Sequence, residues 1–147
     1  MMHKWLLEIC IFCLDRSGAF LIQYKPMDGL DVYRYDEPNY RRMFGCNGWR
    51  VAILNHGKRF CRRKTIRLER HLLTDEAFVL LSGSAVLMIG REAGRVPMMR
   101  ECVYNVAKGT WHQVETSPGT KILIVENDDT GPDNTEYLHL TGMESGN

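Results

Sequence analysis

The sequence predicts an all-β domain, a barrel or sandwich built from about eight or nine short strands. From Asp31 onward, apolar residues come in short runs bounded by turn residues, and no long stretch carries them at helical spacing. A chain of 147 residues is also long enough to bury one core without staples, and closing a sheet of this many strands removes its exposed edges.

Taken in order, Met27 opens a polar segment leading into a first candidate strand at Val32–Tyr35. Pro38 to Phe44 is the one place where a helix is a candidate. Trp49–Leu54 follows, closed by Asn55-His56-Gly57, and then Lys64–His71. A tight turn at Thr74-Asp75 returns the chain into Ala77–Leu81, whose Phe78-Val79-Leu80-Leu81 is apolar at every position and predicts a strand covered on both faces. Gly83-Ser84 separates it from Ala85–Ile89, and Gly90 to Pro97 reads as turn. Cys102–Val106 and His112–Glu115 flank Lys108-Gly109, with Gly109 expected at positive φ. Ser117-Pro118-Gly119 precedes Lys121–Glu126, and Asp128 to Asn134 precedes Tyr137–Leu140.

Composition excludes several classes. Hydrophobic content of 44%, charged content of 25% and a net charge of +1 are ordinary for a globular domain and give no electrostatic case for nucleic acid or acidic membranes. The run Lys58-Arg59-Phe60-Cys61-Arg62-Arg63-Lys64 reads as a solvated turn between strands. The acidic stretch Glu126 to Asn134 lacks the ligand spacing of a calcium loop and reads the same way. Five cysteines, Cys10, Cys13, Cys46, Cys61 and Cys102, are odd in number and follow no framework spacing, so they predict reduced thiols in a cytosolic protein. Cys10-Ile11-Phe12-Cys13 has C-x-x-C spacing without the βαβ context of a redox motif, and reads as small apolar residues on a buried segment. The apolar N-terminal run is interrupted by Glu8 and is too short to span a bilayer. Residues 1–26 are therefore expected to be an N-terminal extension, an over-extended start included, and residues 27–147 the barrel domain.

Two stretches carry chemistry. Side chains two apart on a strand share a face, so Glu69 and His71 point together, and Glu76 returns to the same region after the turn. Ala107-Lys108-Gly109-Thr110-Trp111-His112 brings a second imidazole after a tight turn. Phe78 and Trp111 are expected in the core. His71, His112 and Glu76 form a two-histidine, one-carboxylate set suited to Fe, Mn, Zn or Ni, with positions left open for substrate. Glu69 is either a fourth ligand, which favours harder metals, or a general base standing off the metal.

These stretches resemble the cupin superfamily, small single-domain bacterial cupins in particular. His71, the four residues to Glu76 and the six residues to Gly83 match the second half of the first cupin motif, and Ala107 to His112 matches the second motif with Ala107 in place of proline. The first motif is degenerate: Glu69 stands where the first histidine is usual, Arg63 or its neighbour where the opening glycine is usual, and Thr116 replaces the closing asparagine of the second motif. The resemblance implies a cupin-type double-stranded β-helix, a jelly-roll barrel holding a divalent metal on His71, Glu76 and His112. It implies a homodimer that binds a small-molecule ligand, a polar metabolite, in the barrel mouth; the balanced charge and the short apolar run predict no nucleic-acid or membrane partner. Isomerase, lyase, hydrolase or dioxygenase chemistry stays open, with Glu69 as the candidate catalytic group. Relatives that lost ligands also imply the alternative of a metal-free binding or sensing module.

Overall fold

The computed structural model describes residues 13–14, 20–21, 28–61 and 65–141 of the chain, which forms two compact units, Met1–Arg34 and Tyr35–Asn147. In the first, β1 (Cys13–Leu14) pairs antiparallel with β2 (Phe20–Leu21). The expected boundary at Met27, the start-site reading and Cys10 of the C-x-x-C pair lie outside the described residues.

The second unit is all-β, as its alternation of short apolar runs and turns predicts. It contains β3 (Asn39–Cys46), β4 (Trp49–Asn55), β5 (Thr65–His71), β6 (Glu76–Ser82), β7 (Ala85–Ile89), β8 (Gly94–Pro97), β9 (Val103–Val106), β10 (His112–Thr116), β11 (Lys121–Asn127) and β12 (Thr135–Thr141). Two five-stranded antiparallel sheets, ordered β12-β5-β10-β7-β8 and β3-β4-β11-β6-β9, lie face to face in a jelly-roll arrangement.

Four expectations are corrected. Pro38 to Phe44 is not helical but opens β3, because Asn47 (φ 50°) and Gly48 (φ 86°) form the two-residue turn that pairs Cys46 with Trp49. Two successive positive φ values match the twist of a hairpin, which Asn-Gly tolerates best. Val32–Tyr35 joins no ladder; the carbonyl of Tyr35 instead accepts from the Asn55 amide (3.1 Å) and from Lys121 Nζ (2.8 Å). Gly90 to Pro97 is not all turn, since Gly94–Pro97 forms the edge strand β8 against β7; every residue of it is exposed, so no apolar alternation announced it. Strand β6 is also covered less than its sequence predicts. Phe78 and Leu80 are buried, whereas Leu81 is 46% exposed.

The core between the sheets takes alternate residues from each strand: Ala52 and Leu54, Phe78 and Leu80, Ile122 and Ile124 from one sheet, Ala85, Leu87 and Val114 from the other. Phe60, from the β4–β5 connection, is buried with them. A second cluster occupies the opposite face of β5, where Leu68 is fully buried with Met88, Ala93 and Trp111 and with Ile66, Leu138 and Leu140 against them. Strand β5 thus turns Ile66, Leu68 and Arg70 to one face, the Arg70 guanidinium over the Trp111 ring, while Arg67, Glu69 and His71 share the other, the face turned to the interior.

Two glycines hold the turns that aim the site. Gly109 (φ 76°) donates its N–H to the carbonyl of His71 at 2.7 Å, binding the second-motif turn to the end of β5. Gly83 (φ 71°) ends β6 against the backbone of Thr120, so closely that a Cβ would sit 2.5 Å from Thr120 Cα. Asp75 joins the two turns through its carboxylate, which accepts from the Asn105 amide and the Lys108 N–H, each at 2.9 Å.

Candidate functional site

His71 ends β5, Glu76 begins β6 and His112 begins β10, so three strand ends bring these side chains to one point inside the barrel. All three are buried, and the ligand-capable atoms lie within 4.8 Å of one another. His71 Nε2 and His112 Nε2 stand 3.0 and 2.8 Å from the same oxygen, Glu76 Oε2. The rings meet edge to face at 5.3 Å, and Phe78 packs edge-on against His112 at 5.9 Å.

The far nitrogens are fixed as well. His112 Nδ1 lies 2.9 Å from the carbonyl of Thr110, and His71 Nδ1 lies 2.9 Å from Thr135 Oγ1. A carbonyl only accepts, so His112 carries a proton on Nδ1, and its Nε2 faces Glu76 either as a second donor or as a lone pair available to a cation. Each ring is thus held through its far nitrogen with Nε2 turned toward Glu76, an arrangement that would orient an imidazole for coordination.

Electrostatics follow from burial and contact. Burial alone would raise the Glu76 carboxyl, but the hydrogen bonds from His112 and His71 outweigh it and hold the group below the usual carboxylate range. Burial likewise opposes charge on His112, yet the hydrogen bond and charge of Glu76 raise its pKa.

The structure brings together three of the four expected site residues. Glu69 lies on the same face of β5, directly opposite His112 in the β5–β10 pairing, but outside the convergent set; its Oε2 is 3.7 Å from Arg59 Nη2. Phe78 and Trp111 are both buried, and Phe78 also lines the pocket.

Sequence reasoning missed the opposite wall. Tyr40, Arg50 and Glu126 line the same pocket, and Glu126 is buried rather than part of a solvated turn. The Tyr40 hydroxyl donates to Glu126 Oε1 at 2.8 Å and Arg50 Nε donates to it at 3.1 Å, while Arg50 also reaches the carbonyls of Asp128 and Thr130. Burial, then the charge of Glu76, raises the Glu126 carboxyl, and burial with the charge of Glu126 raises the Tyr40 hydroxyl. The missed signal was strand periodicity: Ile122, Ile124 and Glu126 share a face, as do Arg50, Ala52 and Leu54. Arg59 and Phe60, assigned to a solvated run, line the pocket too. Its interior holds about 160 Å³, room for roughly five waters at ~30 Å³ each, which suits a small metabolite.

No protein-family model matches the sequence, and no curated protein matches it. Solved structures do. A protein from Bacillus halodurans is 16% identical over 66% of this chain and 75% of its own, with a TM-score of 0.53. A protein from Planctomyces limnophilus is 14% identical over 78% of this chain and 96% of its own, at 0.50. A cupin superfamily protein from Desulfitobacterium hafniense is 16% identical over 73% of this chain and 94% of its own, at 0.49. Such identities speak to fold and not to activity. With its paired five-stranded antiparallel sheets, the chain has a β jelly-roll fold, shared with the solved structures from Bacillus halodurans and Planctomyces limnophilus.

Proposed function

We propose that the protein binds one divalent metal ion on His71, Glu76 and His112 and receives a small polar metabolite in the pocket before it. The observation that carries this reading is the convergence of His71 Nε2 and His112 Nε2 on Glu76 Oε2 while both Nδ1 atoms are held by Thr135 and Thr110. The donor set fits a metal: two imidazoles are fixed with their Nε2 atoms facing inward, and one carboxylate is held in its ionised form. A bound divalent ion would supply Lewis-acid polarisation of a substrate oxygen.

The chain's own residues then have distinct roles. Glu69, opposite His112, is the candidate proton acceptor or additional ligand, with Arg59 3.7 Å from its Oε2. Tyr40, Arg50 and Glu126 form the polar wall that orients the metabolite, and Phe60 and Phe78 exclude water from the pocket floor. The chemistry open to such a site is that of an isomerase, lyase, hydrolase or dioxygenase.

One observation favours a second reading, a metal-free ligand-binding module. Glu76 Oε2 already accepts from both imidazoles, so the buried polar groups are paired without an ion. Metal analysis of protein purified without chelator, together with thermal unfolding in added Mn, Fe, Zn or Ni, separates the two. A metal-binding protein gains stability by mass action, about 2.7 kcal/mol at one hundred times the dissociation constant, and His112→Ala abolishes the gain. Glu69→Gln weakens it less. A protein that retains no metal and gains nothing from any of the four is the metal-free module.

We also infer a homodimer and a cytosolic location. The first is supported by the outer face of the second sheet, where Leu81 and Val103 are 46% and 71% exposed. The second is supported by the free thiols of Cys46, Cys61 and Cys102. Among the described residues no helix is long and apolar enough to cross a membrane.

A further inference from the structure

Strands β5 and β10 are neighbours in their sheet, yet they pair at a single position, Glu69 opposite His112. On its other side β10 pairs with β7 along its whole length, from His112 to Thr116, and β5 pairs with β12 from Thr65 to His71. Beyond Glu69 the barrel wall therefore parts. Phe60 closes only the far end of the gap, its carbonyl accepting the Thr116 N–H at 2.7 Å.

A cavity of about 500 Å³ opens at this gap, well within the range of small-molecule sites. Its wall mixes residues from both faces of the sheet, Val114 from one and Gln113 from the other, as expected where a wall is interrupted. It shares Arg59, Phe60, Gln113 and Val114 with the interior pocket. Its lining carries two guanidinium groups, Arg59 on one side and Arg67 on the other, with His139 the direct cross-strand partner of Arg67.

The one carboxylate in the lining, Glu115, is already neutralised by Arg95, which donates through both terminal nitrogens at 3.2 and 2.9 Å. Among the described residues, no carboxylate pairs with Arg67, which stacks over the Tyr137 ring at 4.6 Å with its guanidinium edge left over. Arg59 lies over the Phe60 ring at 5.2 Å and makes a long 3.7 Å approach to Glu69, with no hydrogen bond to a carboxylate among the described residues. Two guanidinium forks and an imidazole offer more donors than one carboxylate can accept, whereas a phosphoryl group has three terminal oxygens for them.

We propose that the gap between β5 and β10 is an anion-binding site for the phosphoryl end of a small metabolite, held by Arg59, Arg67 and His139. It does not depend on the metal centre, and its test is made without divalent ions. Isothermal titration of the full chain with inorganic pyrophosphate, at constant ionic strength and after chelator treatment, reads the site directly, with citrate as the carboxylate comparison. Saturable pyrophosphate binding is expected, weakened about tenfold or more in Arg67→Gln and in Arg59→Gln, as loss of a charge-assisted hydrogen bond predicts, and unchanged in Arg42→Gln on the other sheet. Two variants on different segments keep the test open if one fails to fold. No saturable binding at millimolar pyrophosphate, equal binding by wild type and both variants, or citrate binding as tight as pyrophosphate would each overturn the proposal.

Discussion

Glu76→Gln keeps the size and shape of a buried side chain while removing the charge that orients two imidazoles. In metal-free protein Glu76 Oε2 accepts from His71 and His112 at 3.0 and 2.8 Å. Hydrogen bonds involving an ionised partner contribute about 1.5–3 kcal/mol and neutral ones about 0.5–1.5, so two bonds losing charge assistance cost about 2 kcal/mol. At a urea slope of roughly 2 kcal/mol/M this lowers the unfolding midpoint by about 1 M. The pH profile is the sharper readout. His112, raised by Glu76 against the opposing effect of its burial, contributes stability that is fully present below the ordinary value of 6.5 and is lost as pH rises through its folded value. Glu76, lowered by its histidine partners against its own burial, contributes stability that is present above 4.5 and lost as pH falls through its depressed folded value. The stability difference between wild type and Glu76→Gln is therefore largest between pH 4.5 and 6.5 and shrinks on both sides. Urea unfolding across this range in the presence of chelator measures it. A difference that is flat with pH, or below about 0.5 kcal/mol at its maximum, refutes the charge-assisted triad.

Three further outcomes are expected. Gly109→Ala meets no atom within 4 Å and should cost only the strain of a left-handed residue, about 1–2 kcal/mol, whereas Gly83→Ala adds a clash with the Thr120 backbone and should cost roughly 2–5; equal effects in urea unfolding would contradict the turn geometry. Leu68→Ala should cost about 2–5 kcal/mol by thermal or urea unfolding, because Leu68 is fully buried in the second cluster, and a cost under 1 would show that this face is not a packed core. A chain beginning at Met27 should keep cooperative unfolding, since the compact β unit begins at Tyr35; loss of the transition would assign residues 1–26 a structural part.

Much of the barrel was legible because its strands are short and alternate cleanly. Trp49–Asn55, Ala85–Ile89 and Lys121–Asn127 lie within a residue of where turn chemistry and apolar runs put them. The failures have local causes. Strand β3 begins at Asn39 (φ 73°) beside Pro38 and has few buried positions, so its identity comes from the Asn47-Gly48 turn and from pairing with β4 rather than from its own pattern. The fully exposed β8 is a strand only because β7 offers it a ladder.

At the site, sequence alone determined which residue types could act and which of them share a strand face. The period of two put Glu69 beside His71, and motif spacing singled out Glu76 and His112. Tertiary structure decided what those residues meet. Register set His112 opposite Glu69 and His71 opposite Thr135, and packing one sheet on the other put Tyr40, Arg50 and Glu126, of which Tyr40 and Glu126 are 86 positions apart, across the pocket from His71 and His112. It also parted β5 from β10, leaving Arg59, Arg67 and His139 around one cavity. Periodicity is a property of a strand by itself, but convergence depends on register, turn direction and sheet stacking, which are fixed only when distant segments bury their apolar faces together.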